Sequence, residues 1–109
     1  MILVTTKIDV RPNKRTELVQ TLNALAERVR TEAGCWSSEL YCDVKKENTL
    51  CVIEQWASEA DLDKHLRSDN FGVLRGAFKA LYAKAEMRFH TVSQTRGESS
   101  GPRERETVG

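Results

Sequence analysis

Ile2, Val4, Ile8 and Val10 alternate with Leu3, Thr5, Lys7 and Asp9 at the start of the chain. A period of two gives an extended segment one consistently apolar side, so a first strand is predicted, ended by Pro12. Leu18, Leu22, Leu25 and Val29 follow at spacings of four, three and four. That is one stripe of a helix from about Asn13 to Glu32, with Gly34 just past its end as a stop signal.

Residues 36–44, WSSELYCDV, and 49–57, TLCVIEQWA, are rich in aromatic and β-branched residues and flank the polar KKEN, which predicts a hairpin. A turn centred between Lys46 and Glu47 pairs Cys42 with Cys51, Leu40 with Ile53 and Val44 with Thr49. Leu40, Cys42, Val44, Cys51 and Ile53 then share one face, and Tyr41, Leu50, Val52, Glu54 and Trp56 the other. Helices on one side would leave the second apolar face bare. The same sheet of a second copy is the simplest cover, so a homodimer through the sheet face is expected.

Ser58 and Asp61 have the spacing of a capping box for a short helix through about Leu66. The SDN at 68–70 caps a further helix with the stripe Phe71, Leu74, Phe78, Leu81 and Tyr82. Residues 85–95, AEMRFHTVSQT, resume alternation, with Met87 and Phe89 on one face of a last strand. The order β, α, β, β, α, β with a split second helix is the ferredoxin-like α+β plan, two βαβ units interleaved into one four-stranded antiparallel sheet. One domain over residues 1–96 is expected, then a polar tail, 97–109, whose composition offers almost nothing to bury.

Composition narrows the partners. The 109 residues, 39% apolar and 30% charged, suffice for a single core. Seventeen Lys and Arg interleave with sixteen Asp and Glu for a net charge of +1, which gives no field to attract nucleic acid or an anionic membrane. No basic region precedes the apolar start and no run of about 18 apolar residues occurs, so a cytoplasmic location is expected. Cys35, Cys42 and Cys51 are odd in number and lack CxxC spacing, which points to reduced, mostly buried thiols. A Cys42–Cys51 bridge would need the pairing above and an oxidising compartment.

His65 falls with Leu62 and Leu66 at i−3 and i+1, on the inward face of its helix. A buried imidazole is either a hydrogen-bonded core residue or a base poised near neutral pH. Glu54, on the preceding strand among apolar neighbours, is placed to orient or charge it, or else to sit exposed or in a dimer ion pair. Trp56 is a flat wall for a planar substrate or a packed core residue. Phe71, Phe78 and Tyr82 on the last helix, with Tyr41 on the hairpin, are candidate walls of an apolar pocket, though each alone reads first as ordinary core. Asp61 and His65 at i, i+4 leave Asp63 on another face, so no metal site is expected. No GxSxG, GxGxxG or GxxxxGK[ST] occurs, so hydrolase, nucleotide and flavin-phosphate readings have no support.

GCWSSELYCD at 34–43, EQWASEADLDKHLRSDNF at 54–71 and the following FKAL resemble the antibiotic biosynthesis monooxygenase domain, which includes quinol monooxygenases. The resemblance covers about residues 1–93. It implies a dimeric αβ-barrel of ferredoxin-like protomers and, as in several members, oxygenation of a small aromatic or hydroquinone by O₂ with no cofactor. By that resemblance His65 matches the histidine of the HL motif, Glu54 and Trp56 match ExW, and Phe71 matches the aromatic of SxxF. The asparagine of related haem-degrading members has no counterpart in the first strand. Val52 and Leu62 stand where polyketide-oxidising members carry asparagine and tyrosine. The leading expectation is a cofactor-independent monooxygenase with His65 as base, Glu54 as its partner, and Trp56, Tyr41, Phe71 and Phe78 as walls. A non-catalytic dimer module with His65 as buried structure, and a cofactor-free isomerase of a small carbonyl compound, are the alternatives.

Overall fold

A computed structural model describes residues 1–101. Strand β1 (Ile2–Asp9) leads through a 3₁₀ turn at Pro12–Lys14 into helix α1 (Arg15–Val29). Strands β2 (Cys35–Cys42) and β3 (Thr49–Trp56), helices α2 (Glu59–Leu66) and α3 (Asp69–Ala80), and strand β4 (Lys84–Thr91) follow. The four strands form one antiparallel sheet in the order β2-β3-β1-β4, the interleaved α+β plan expected from the order of elements. Residues 93–101 carry no helix or strand, and the remainder of the expected tail lies outside the described residues.

Local signals place most elements. The α1 stripe Leu18, Leu22, Leu25 and Val29 is buried throughout, against Ile8, Val10 and Leu50 of the sheet at one end and Ile2, Val4 and Trp56 at the other. Ser58 caps α2 as a reciprocal pair: its Oγ accepts from the Asp61 backbone N–H at 3.2 Å and donates to the Asp61 carboxylate at 2.9 Å. Ser68 Oγ accepts from Phe71 N–H at 3.2 Å, so the break between α2 and α3 is a second cap and not a kink. Tyr82 leaves the expected α3 stripe: it lies past the helix end at φ +52° and 67% exposed, with the Arg11 guanidinium over its ring.

The hairpin register differs from the expected one by one residue. Leu40 lies opposite Val52, Tyr41 opposite Cys51 and Cys42 opposite Leu50. The cause is Asp43. Its carboxylate accepts from the backbone N–H groups of Lys45 and Lys46 at 2.7 and 3.0 Å, and its own N–H donates to Thr49 O at 2.9 Å. That side-chain-closed turn ends β2 at Cys42 and leaves Val44 fully exposed in the loop. Leu40, Leu50, Val52, Glu54 and Trp56 therefore share the helix side, while Tyr41, Cys51 and Ile53 share the open side with Leu3 of β1. Cys42 and Cys51 point to opposite faces, and all three cysteines are free thiols.

Gly34 links α1 to β2 at φ +80°, a left-handed conformation that favours glycine. The Asp61 side chain fills the space a Cβ there would need. This contact draws the segment after α1 against the start of α2, and so brings Glu32 toward His65.

Candidate functional site

The site lies on the helix side of the sheet. The inward alternation of β3 sets Glu54 between Val52 and Trp56, and pairing across β2 sets Ser38 opposite Glu54. His65 projects from α2 onto them. All four are buried: Ser38 is 1% exposed, Glu54 7%, Trp56 0% and His65 3%.

Each edge of the imidazole is engaged. Trp56 stacks against one face, centroids 4.5 Å apart and planes 27° from parallel, and Phe71 meets the ring edge-on at 5.5 Å. Nδ1 lies 3.1 and 3.0 Å from the two carboxylate oxygens of Glu32, in the turn after α1. Asn70 Nδ2, from the first turn of α3, donates to Glu32 Oε2 at 3.1 Å. Nε2 faces Glu54 Oε1 at 4.0 Å. Glu54 in turn accepts long bonds of 3.4 Å from Ser38 Oγ and from Trp56 Nε1.

The imidazole is thus bracketed by two carboxyl groups in unlike settings. Burial pushes the Glu54 carboxyl above its ordinary range. The His65 charge and the bonds from Trp56 and Ser38 pull it back without cancelling the rise. Cys35, opposite Trp56, has its thiol pushed up to about 11, by burial first and then by the negative charges of Glu54 and Glu32. It is held neutral and unreactive.

Because folding favours the protonated Glu54, its contribution to stability is complete below the ordinary carboxylate range and is lost as pH rises through the raised value. Glu54→Gln mimics the neutral carboxyl at every pH. The variant is expected to melt above the wild type at pH 8 and to converge with it near pH 4. Paired thermal melts across that range check this, and a Tm difference independent of pH would contradict it.

Beside these groups lies a small cavity of about 30 Å³, between α1, α3 and the sheet. Leu22, Leu25, Leu40, Val52 and Leu74 form its apolar walls; Ser38, Glu54, His65 and Asn70 make its polar end. Its interior is narrow as it stands, with room for a water molecule and not for an aromatic ring.

The structure brings together four of the six residues singled out in the sequence: His65, Glu54, Trp56 and Phe71. Neither Trp56 nor Phe71 lines the pocket; both pack on the imidazole instead. Tyr41 does not join them, because the corrected register turns it to the open face, where it is 52% exposed. Phe78 packs at the other end of the core with Ile8, Leu18 and Leu81. Neither walls the pocket; aliphatic side chains of α1 take that place. Glu32, Ser38 and Asn70 carry no sequence signal of their own. Only the Gly34 turn, the strand pairing and the α3 cap bring them in. Among the described residues, no three His, Cys, Asp or Glu side chains converge as a metal site, and no helix is long and apolar enough to cross a membrane.

A ferredoxin-like sheet with a histidine and carboxylates on its helix side defines a class of small α+β proteins. Within that class the chain belongs to the antibiotic biosynthesis monooxygenase family, whose model matches residues 1–76. A Synechocystis relative, the uncharacterized protein sll1783, is 30% identical over 95 residues, covering 86% of this chain. The chain spans 65% of that relative's length. The Bacillus subtilis protein named "Putative monooxygenase YcnE" is 32% identical over 71 residues, 65% of this chain and 75% of its own. SnoaB of Streptomyces nogalater, a cofactor-independent oxygenase solved as a point mutant, superposes with a TM-score of 0.78 at 20% identity, over 89% of this chain and 97% of its own.

Proposed function

We propose that this protein is a cofactor-independent monooxygenase that oxidises a small aromatic or quinol substrate with O₂, His65 acting as general base. The observation that carries this reading is the buried imidazole set between two carboxyl groups at the polar end of an apolar pocket, in a chain of this family. Such chemistry needs little from the protein. Removing a phenolic proton makes the ring electron-rich, the ring reduces O₂, and the site supplies a base, a dry cavity and hydrogen-bond donors for the developing oxyanion. Asn70 is the neutral donor at the pocket's polar end, its amide having a second N–H beyond the bond to Glu32, whereas the one Ser38 hydroxyl hydrogen goes to Glu54.

The open sheet face, with Leu3, Tyr41, Cys51 and Ile53 among charged neighbours, supports a homodimer through that face. The unpaired thiols fit a reducing, cytoplasmic setting. One observation favours a second reading, a non-catalytic dimer module: the pocket beside His65 is too narrow for a ring as it stands.

An oxygen electrode separates the two. With a panel of hydroquinones and anthrones, the first reading expects O₂ uptake that scales with protein concentration above the autoxidation of substrate alone. Uptake at the autoxidation rate for every compound would sink the oxygenase reading and leave the module.

A further inference from the structure

We propose that Glu32 is the positioning residue of this site, selecting the imidazole tautomer in which Nδ1 carries the hydrogen and the bare Nε2 is turned toward Glu54 and the pocket. The catalytic use of that tautomer rests on the reading of His65 as base; the tautomer itself does not.

The geometry is specific. Both Glu32 oxygens lie within 3.1 Å of Nδ1. An ionised carboxylate only accepts, so the hydrogen of that bond belongs to Nδ1. A histidine side chain free in water prefers its hydrogen on Nε2, so the site reverses the intrinsic preference. On the other side, the 4.0 Å between Nε2 and Glu54 is too long for a hydrogen bond, so nothing there holds a proton on Nε2.

Glu32 is itself held, by Asn70 at 3.1 Å and by the Gly34 turn that fixes its segment against α2. Trp56 and Phe71 block rotation of the ring out of this plane. The charged and titratable groups facing the imidazole are therefore Glu32 from the turn after α1 and Glu54 from β3; α3 contributes the neutral Asn70.

When Nε2 takes a proton from a substrate hydroxyl, the oxygen keeps the electron pair and the ring becomes an imidazolium. The Glu32 carboxylate across the ring balances that charge. Glu32 touches no substrate; it acts through His65.

The test is ¹⁵N NMR of the His65 ring in the full chain. In the neutral form of the wild type, Nδ1 is expected to show the shift of a protonated nitrogen and Nε2 that of a bare one. In Glu32→Leu, which leaves Nδ1 no acceptor at this position, the two shifts are expected to exchange in the larger part of the population. A wild-type ring protonated on Nε2 would overturn the proposal, even if the variant failed to fold. So would a folded Glu32→Leu variant that kept the wild-type tautomer.

For any substrate that shows O₂ uptake, Glu32→Gln is expected to lower kcat about 10-fold or more with KM within about twofold, since the lost interaction matters most in the transition state. An unchanged kcat would overturn the catalytic use of the tautomer. A wild type with the expected tautomer but no O₂ uptake on any substrate would overturn the oxygenase reading while leaving the role of Glu32 intact.

Discussion

Replacing His65 with alanine is expected to lower O₂-dependent turnover by about 10²–10⁴-fold, the range that a positioned general base contributes. The methyl group left behind can accept no proton, and the rest of the polar end cannot substitute for it. Ser38 Oγ is committed to Glu54, and Glu32 lies on the far side of the vacated ring. Glu54 cannot take over readily either. Burial holds its carboxyl above the ordinary range, which leaves less of it ionised than an exposed glutamate would be. The variant should also lose stability, because removing a buried partner leaves Glu32 and Glu54 less compensated. His65→Gln, closer in size and still polar, separates the two effects. If it restores the melting temperature while turnover stays low, the imidazole is chemical; if His65→Ala turns over at the wild-type rate, His65 is not the base.

The second large effect is structural. Trp56→Ala is expected to destabilise the fold by about 3–5 kcal/mol, the cost of truncating a fully buried aromatic and leaving a cavity. Trp56 is the largest fully buried side chain, packed with Ile2, Val4, Val29 and Leu62 at the end of the core that carries the site. For a domain of about 100 residues, 1 kcal/mol moves the midpoint by about 4–8 °C, so the melting temperature should fall by more than about 10 °C. Trp56→Phe keeps most of the packing and loses only the long 3.4 Å bond to Glu54, so its loss should be much smaller. Urea titrations of the three proteins give the comparison. A loss below about 1 kcal/mol for Trp56→Ala would show that the surrounding side chains collapse into the space.

The parts of the fold legible in the sequence are those decided within a few residues. The β1 alternation, the α1 stripe and the Ser58 cap each depend on spacing along one element, and each stands as its spacing implies. The hairpin register turned instead on one side chain. An Asp43 carboxylate that closes the loop on two backbone N–H groups moves the pairing by one position, and with a period of two that exchanges the faces of β2 against β3. Tyr41 left the candidate site for that reason alone.

His65 and Glu54 were recoverable because each lies on an inward face that periodicity or family motif picks out. Glu32 was not, because it falls beyond the α1 stripe in a turn with no periodicity. Its contact with His65 spans 33 residues and depends on the close approach of Gly34 to Asp61.

The alternation of β3 has a further consequence. Leu50, Val52, Glu54 and Trp56 belong to the interior and the pocket; Cys51, Ile53 and Gln55 belong to the open face. One eight-residue strand therefore serves two surroundings, interleaved residue by residue. A substitution at one of its even positions acts on the core and the pocket, and one at an odd position acts on the open face.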